Sequence, residues 1–190
     1  ARTLREQLPS IDGVLFPSRF AVPSLLGGLF EAGMDARALG GLTLLAVGPA
    51  TARELKGVGL VADLTAKSSG GVRDLARRLG DAHRGRYLYP CSDAAPVEDR
   101  MSVLRPHGIE LQPAVFYRNR PMPFRQLPDA PFDRVLFTSS STVREYFGHY
   151  PGERGAGRTW LAAGPSTAAC LEELGLEAEM LPGRARAWGD

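Results

Sequence analysis

The chain has 190 residues, of which 44% are hydrophobic and 23% are charged, so it is long enough for one large globular domain or two small ones. Its formal net charge of +2 excludes the strong positive field of a nucleic-acid-binding domain. No apolar run is long enough to span a membrane, no signal peptide is visible, and the two cysteines and three histidines have no metal-ligand spacing, which together indicate a cytoplasmic protein without a metal site.

Short apolar runs alternate with segments of helical periodicity in the first part of the chain. Val14–Phe16 predicts a buried strand, and the apolar spacing between Phe20 and Ala32 predicts the helix that follows it. Pro90–Asp93 predicts a loop after a later strand. The predicted helices are 2–8, 20–32, 49–58, 71–79 and 97–105, and the predicted strands are 14–16, 42–47, 61–64, 86–89 and 109–117.

The same pattern returns after a proline-rich connection. Residues 118–131 contain Pro121, Pro123, Pro128 and Pro131, a composition typical of a connection between packed elements. A strand around Val135 then repeats the strand around Val14, and Glu177–Leu181 predicts a last short strand before a loose tail at 183–190. Because strands alternate with helices throughout, the sequence predicts parallel sheets built from right-handed crossovers.

One stretch of eight residues occurs twice, as LAVGPATA at 45–52 and as LAAGPSTA at 161–168. Each copy predicts a buried strand, a sharp turn at glycine, and a helix that begins at a proline, where no N–H is needed. Gly59 and Gly175 lie where the two helices would end in left-handed caps. The two copies therefore predict two equivalent strand-to-helix corners.

Each corner places a threonine, Thr51 or Thr167, inside the first turn of a helix. Unpaired N–H groups and the positive end of the helix dipole suit such a corner to a carboxylate or a phosphate. The alternative is an economical turn in which the threonine only caps the helix. Two copies in one chain favour a pair of half-sites.

Ligands of parallel sheets bind beyond the carboxyl ends of the strands, and the loops predicted there are 17–19, 48–51, 90–93, 139–141 and 164–167.

These phrases, in their order, resemble the uroporphyrinogen-III synthase family. They are VLFPS at 14–18, VGPATA at 47–52, LYPCS at 88–92, VFY at 115–117, FTSS at 137–140 and AGPSTA at 163–168. The resemblance implies an α/β fold with two flavodoxin-like parallel-sheet domains, a two-stranded linker and a substrate cleft between the domains. It divides the chain into a central α/β domain at 1–114, a linker strand at 115–120 and a second α/β domain at 121–190, which is incomplete because it lacks its N-terminal strand and helix.

The resemblance also implies a reaction and its substrate. Family members cyclise hydroxymethylbilane, a linear tetrapyrrole with eight carboxylates, to uroporphyrinogen III. Water leaves the terminal hydroxymethyl group, the far pyrrole ring attacks through its substituted carbon, and fragmentation and re-closure of a spiro intermediate invert that ring. The reaction needs no metal and no organic cofactor. Because uncatalysed closure gives the symmetrical isomer, the main task of the protein is to position the two ends of the substrate.

Carried over to this sequence, the resemblance assigns Tyr117 as the catalytic residue, a weak acid that assists the departure of water. The alternative for Tyr117 is a half-buried strand tyrosine. Pro17 departs from the threonine usual in the family, and Cys91 is expected to be a small buried residue rather than a nucleophile. The residues assigned to the substrate are Ser18, Thr51, Ser92, Ser139, Ser140, Ser166 and Thr167.

The expected partner is a small polycarboxylate, with no nucleic acid and no membrane, and the expected assembly is a monomer. A second hypothesis is a non-catalytic tetrapyrrole- or anion-binding sensor module of a larger regulatory or fusion protein, which Pro17 motivates. A third is an unrelated two-lobed α/β sensor for a small anion.

Overall fold

The computed structural model describes residues 3–67, 71–120, 127 and 131–181. The chain forms two compact units, Ala1–Asn119 and Arg120–Asp190. Most of the predicted connection, at 121–126 and 128–130, and the predicted tail at 183–190 lie outside the described residues.

The first unit is an alternating α/β structure around one parallel sheet. Its helices are α1 Leu4–Gln7, α2 Ala21–Glu31, α3 Pro49–Gly57, α4 Gly71–Arg78 and α5 Val97–Leu104. Its strands are β1 Gly13–Phe16, β2 Thr43–Ala46, β3 Leu64–Thr65, β4 Gly85–Ser92 and β5 Ile109–Tyr117. The strand order is β3-β2-β1-β4-β5, and every pair is parallel. The sequence prediction of an α/β fold with parallel sheets is confirmed.

The flavodoxin-like part of that prediction is not confirmed in this sheet. A flavodoxin-like order, 2-1-3-4-5, places the second strand at an edge. Here β2 lies inside the sheet, between β1 and β3, because the first two crossovers run in the same direction. The chain then reverses and adds β4 on the other side of β1. The reversal makes the boundary of β1 and β4 the topological switch point, where such sheets bind ligands.

The alternation of side chains along β1 gives the sheet two buried faces. Val14 and Phe16 belong to a core that includes the apolar side of α2, while Leu15 belongs to a second core with Leu75 of α4 and Leu104 of α5. All five side chains are at most 1% exposed. A strand buried on both faces reads as a continuous apolar run, which is why Val14–Phe16 is recognisable in the sequence.

Two predicted boundaries in the first unit are wrong. The third strand is Leu64–Thr65 rather than 61–64, because the chain joins β2 only at Asp63, whose N–H donates to the Leu44 carbonyl at 2.8 Å. The predicted loop at 90–93 is strand as far as Ser92. Strand β4 stays paired with β5 past Pro90, but its pairs with β1 end at Leu88. The N–H group that proline lacks is therefore not needed for pairing at this position.

The second unit repeats part of this arrangement with fewer strands. Its elements are β6 Arg134–Phe137, α6 Ser140–His149, β7 Thr159–Ala162, α7 Pro165–Glu172 and β8 Ala178–Met180. The strand order is β6-β7-β8, all parallel, and α6 and α7 pack with an aromatic core that includes Phe137, Phe147 and Trp160. Leu136 is 43% exposed, whereas Leu15, its counterpart in the repeat, is fully buried.

The predicted helix caps are confirmed in both copies. Gly59 has φ of 81° and Gly175 has φ of 76°, in the left-handed region that favours glycine. In the first copy the N–H of Leu60 donates to the carbonyl of Leu55 at 2.9 Å. In the second copy the same bond joins Leu176 to Leu171 at 3.1 Å. Both helices therefore end in the same Schellman-type cap.

Candidate functional site

The carboxyl edge of the five-stranded sheet gathers four of the predicted site residues of the first unit. Ser18 follows β1, Thr51 lies in the first turn of the helix after β2, Ser92 ends β4 and Tyr117 ends β5. In a parallel sheet all strands end at the same edge, so the strand order alone brings these side chains to one edge.

Ser18 and Tyr117 form a direct hydrogen bond at this edge. The Ser18 Oγ and the Tyr117 hydroxyl oxygen are 2.9 Å apart, and the pair is partly buried. Strand β4 lies between β1 and β5, so the bond spans the end of β4 and the topological switch point. The structure thus joins the predicted catalytic residue to one of the predicted substrate-binding residues.

Ser92 lies beside this pair and has a partner that the sequence prediction missed. Ser92 is 7% exposed, and the Asn119 side-chain amide donates to its Oγ at 3.4 Å. The Asn119 backbone N–H donates to the Asp93 carboxylate at 3.1 Å, and the Asp93 N–H donates to the Tyr117 carbonyl at 3.2 Å. The residue types in the sequence could have indicated these contacts, because asparagine and aspartate side chains commonly fix local turns through such hydrogen bonds.

The two repeated corners have the predicted geometry. Gly48 and Gly164 are extended, with φ of 179° and −169°, and a proline begins the helix in each copy. Thr51 is 4% exposed and Thr167 is 3% exposed. Each corner therefore buries its threonine in the first helical turn.

Neither repeated threonine acts as a helix cap. The caps are the glycines, which have no side-chain oxygen. Within the described part of the chain, no hydrogen bond is formed by the hydroxyl of Thr51 or Thr167, and neither oxygen is among the fully buried unpaired atoms. The two threonine hydroxyls therefore do not cap these helices, and neither forms a hydrogen bond with another described residue.

The serines of the second unit have contacts within the protein. The Ser139 Oγ caps α6 by accepting from the Thr142 N–H at 3.3 Å. The Ser140 hydroxyl donates to the Ser166 carbonyl at 2.8 Å. The Ser166 side chain is exposed beside Thr167. Ser139 and Ser140 thus build the corner, whereas the Ser166 side chain is exposed at it and Thr167 is buried beside it.

Two buried titratable side chains of β4 have raised pKa values and are held neutral. Burial raises the pKa of the Cys91 thiol, whose Sγ lies 3.6 Å from the Ala114 carbonyl oxygen. Burial also raises the pKa of Tyr89 to about 12. Cys91 is therefore a small buried residue, as predicted, and a poor nucleophile. Within residues 3–67, 71–120, 127 and 131–181, no group of three or more His, Cys, Asp or Glu side chains is placed to hold a metal ion.

The described helices include none that is long and apolar enough to cross a membrane.

Comparison with known proteins identifies the family of this chain. A family model described as "Uroporphyrinogen-III synthase HemD" matches residues 1–188. The "Porphyrin biosynthesis protein HemD" of Ruminiclostridium josui is 25% identical over 150 residues, which is 74% of this chain and 29% of that protein. The chain thus spans less than a third of the length of this curated relative.

Two solved structures share the fold. A mutant uroporphyrinogen III synthase from the extremely thermophilic bacterium Thermus thermophilus is similar with a TM-score of 0.68 and 23% identity, over 97% of this chain and 77% of that one. A uroporphyrinogen-III synthetase from Helicobacter pylori is similar with a TM-score of 0.61 and 23% identity, over 90% of this chain and 77% of that one. The family match over residues 1–188 shows that the chain belongs to the uroporphyrinogen-III synthase family.

Proposed function

We propose that this chain is a uroporphyrinogen-III synthase, which converts hydroxymethylbilane to uroporphyrinogen III with inversion of the terminal pyrrole ring and loss of water. The observation that carries the proposal is the hydrogen bond between Ser18 and Tyr117. It fixes a phenol at the switch point of a parallel sheet, where ligands of such sheets bind. Membership of the synthase family supports the same conclusion.

Tyr117 supplies the proton for the departing water in this proposal. The bond from the terminal carbon to its hydroxyl group breaks as the phenol proton moves to that oxygen, and water, an azafulvenium cation and the Tyr117 phenolate result. The far ring attacks through its substituted carbon, and the spiro intermediate fragments and re-closes. The last ring carbon to form a bond then loses its proton to the phenolate, so Tyr117 ends the reaction as it began.

The hydroxyl-bearing corners hold the carboxylates of the substrate. Thr51 and Thr167 have no hydrogen bond from their hydroxyls to other described residues, and each lies at the start of a helix that favours an anion. Each corner thereby contributes to the affinity for the bilane. Positioning the reacting ends is the larger part of catalysis, because uncatalysed closure uses the wrong carbon.

Two arginines add positive charge at the edge where Tyr117 lies. Arg19 follows Ser18 and Arg118 follows Tyr117 in the sequence, and both are exposed. No described acidic side chain forms an ion pair with either of them. The Arg19 guanidinium lies 4.9 Å from the centroid of the Phe20 ring, which restricts it without neutralising it. Both are free to bind carboxylates.

The wider architecture belongs to the same proposal. The domain boundaries 1–114 and 121–190, the linker strand at 115–120 and an incomplete second domain follow from the family resemblance. The residues 115–117 belong to β5, and β6 has one neighbouring strand among the described residues, which supports a second domain with fewer strands. The monomeric state, the cytoplasmic location and the lack of a nucleic-acid partner stay predictions.

The proposal is tested by incubating the protein with hydroxymethylbilane and separating the isomers by chromatography. The type III isomer, formed at a rate proportional to protein concentration, is expected. A sensor module would instead bind uroporphyrinogen and leave the products of spontaneous closure unchanged, which would reject the enzyme and retain the second hypothesis.

A further inference from the structure

The bond between Ser18 and Tyr117 has a chemical consequence for Ser18. A serine hydroxyl carries one hydrogen, and at 2.9 Å the phenol oxygen is its close neighbour. Substrate carboxylates only accept hydrogen bonds. If Ser18 gives its hydrogen to the phenol oxygen, it has none left for a carboxylate, and its effect on the reaction passes through Tyr117.

We infer that Ser18 is a positioning residue that donates its hydroxyl hydrogen to the phenol oxygen of Tyr117 and thereby directs the Tyr117 proton towards the leaving hydroxyl group. This inference rests on the proposed function and changes one part of it, because Ser18 then holds Tyr117 rather than a substrate carboxylate. The donated bond also stabilises the phenolate that forms when Tyr117 gives up its proton. Ser18 keeps its own proton throughout.

Both ends of this bond are fixed by the backbone. On the Ser18 side, Pro17 restricts the loop, and the Ser18 carbonyl accepts from the Ala21 N–H at 3.1 Å. On the Tyr117 side, the carbonyl accepts from the Asp93 N–H at 3.2 Å. Two hydroxyls on anchored backbones lose little further freedom when they pair, so the phenol is oriented before a substrate arrives.

Pro17 gains a role in this arrangement. Proline at this position removes the hydroxyl and the N–H of the threonine usual in the family, which weakens the loop as a carboxylate site. The same ring restricts the backbone next to Ser18. The loop after β1 is therefore better suited to positioning Tyr117 than to binding an anion.

The experiment is a double-mutant cycle on isomer-resolved turnover with Ser18→Ala, Tyr117→Phe and the double variant. Tyr117→Phe is expected to lower kcat at least several-fold. Ser18→Ala is expected to lower kcat roughly tenfold, as for one lost bond to a developing charge, with KM unchanged. The double variant should be no slower than Tyr117→Phe, and Ser18→Thr, which keeps the hydroxyl, should restore most of kcat.

Two control variants each remove a hydrogen bond of the same length outside the site, so they show whether the loss of any such bond lowers kcat. Ser102→Ala removes a 2.9 Å bond from an exposed position of α5 to the Asp99 carbonyl, and Tyr87→Phe removes a 2.9 Å bond to the His83 carbonyl. Neither should change kcat. If the two site substitutions multiply in the double variant, or if Ser18→Ala raises KM alone, Ser18 binds substrate directly and the inference fails while the synthase stands. A wild-type protein that yields only the type I isomer would overturn both.

Discussion

The Ser140 hydroxyl donates to the Ser166 carbonyl at 2.8 Å and joins the first turn of α6 to the first turn of α7. Arg19 and Ala50 occupy the corresponding positions of the first unit, and neither has a hydroxyl. The two corners are therefore repeats in backbone course but not in the contacts that hold them.

Removal of this bond should loosen the second unit. Ser140→Ala is expected to lower the free energy of unfolding by about 1 kcal/mol, because the Ser166 carbonyl loses its donor. Ser166→Ala is the matched control, since the bond uses only the backbone of Ser166. Urea unfolding of both variants measures the difference. Equal stability of the two variants would show that the bond contributes nothing.

The unpaired threonines should each contribute to substrate binding. Thr51→Val and Thr167→Val are each expected to weaken binding by about 1–2 kcal/mol, the cost of a carboxylate contact left unmade. Affinity is measurable with the bilane or with uroporphyrinogen as a stable ligand.

Thr43 and Thr159 provide matched controls for that comparison. They begin β2 and β7, the strands that lead to the two corners, and so lie at the opposite ends of these strands. Thr43→Val and Thr159→Val should leave affinity unchanged. Wild-type affinity in Thr51→Val and Thr167→Val would refute the role of the corners.

Glycine at position 13, the first residue of β1, should be required for close packing of the first sheet. A Cβ at Gly13 would lie far inside contact distance of the Thr43 carbonyl oxygen and the Tyr87 ring, and the backbone carbonyl cannot move aside. Gly13→Ala is expected to cost about 3 kcal/mol of stability. Gly27→Ala is the control, because its Cβ meets no atom within 4 Å on helix α2 and should stabilise by about 0.5–1 kcal/mol. Similar melting temperatures for the two variants would contradict this packing.

The stability of the second unit should depend on pH through Glu153. The Arg158 side chain donates to Glu153 at 2.6 Å, and this bond lowers the carboxyl pKa below its ordinary value of 4.5. A carboxyl whose folded pKa is depressed stabilises the protein above the unfolded pKa and loses that contribution as pH falls through the folded value.

The measurement compares melting temperatures of wild type and Glu153→Gln from pH 7 to pH 3. The wild type should be more stable at pH 7, and the difference should shrink below about pH 4.5. Glu172→Gln, an exposed position on α7, should show no such trend. A difference between wild type and Glu153→Gln that is constant with pH would show that charge at Glu153 is not the cause.

Local patterns predict much of the fold. The buried runs at Val14 and Leu45 and the left-handed glycines 59 and 175 each depend on a few adjacent residues, so the sequence alone is sufficient. The strand order is not predictable in this way, because the side of β1 on which a later strand adds depends on packing across the whole sheet. The pairing of β4 with β5 also depends on packing across the sheet. Because this pairing keeps residues 90–92 in the strand, the prediction of a loop that begins at Pro90 is wrong.

The candidate site was predictable as a set of positions but not as contacts. Ser18 and Tyr117 lie on separate elements, and their bond depends on β4 lying between β1 and β5. Asn119 was missed because it lies in a proline-rich stretch that predicts only a connection. Which hydroxyls are already used within the protein, as for Ser139 and Ser140, also depends on the folded structure.

If the chain is a synthase, it directs the ring closure of a linear tetrapyrrole, and the isomer ratio of the product measures this directly. Hydroxymethylbilane should be supplied at a fixed concentration, and the ratio of type III to type I isomer should be measured over a range of protein concentrations. We predict that the ratio rises with wild-type protein towards complete type III product and rises less steeply with Tyr117→Phe. A ratio that stays at the spontaneous, type I value at every concentration would show that the chain does not direct ring closure.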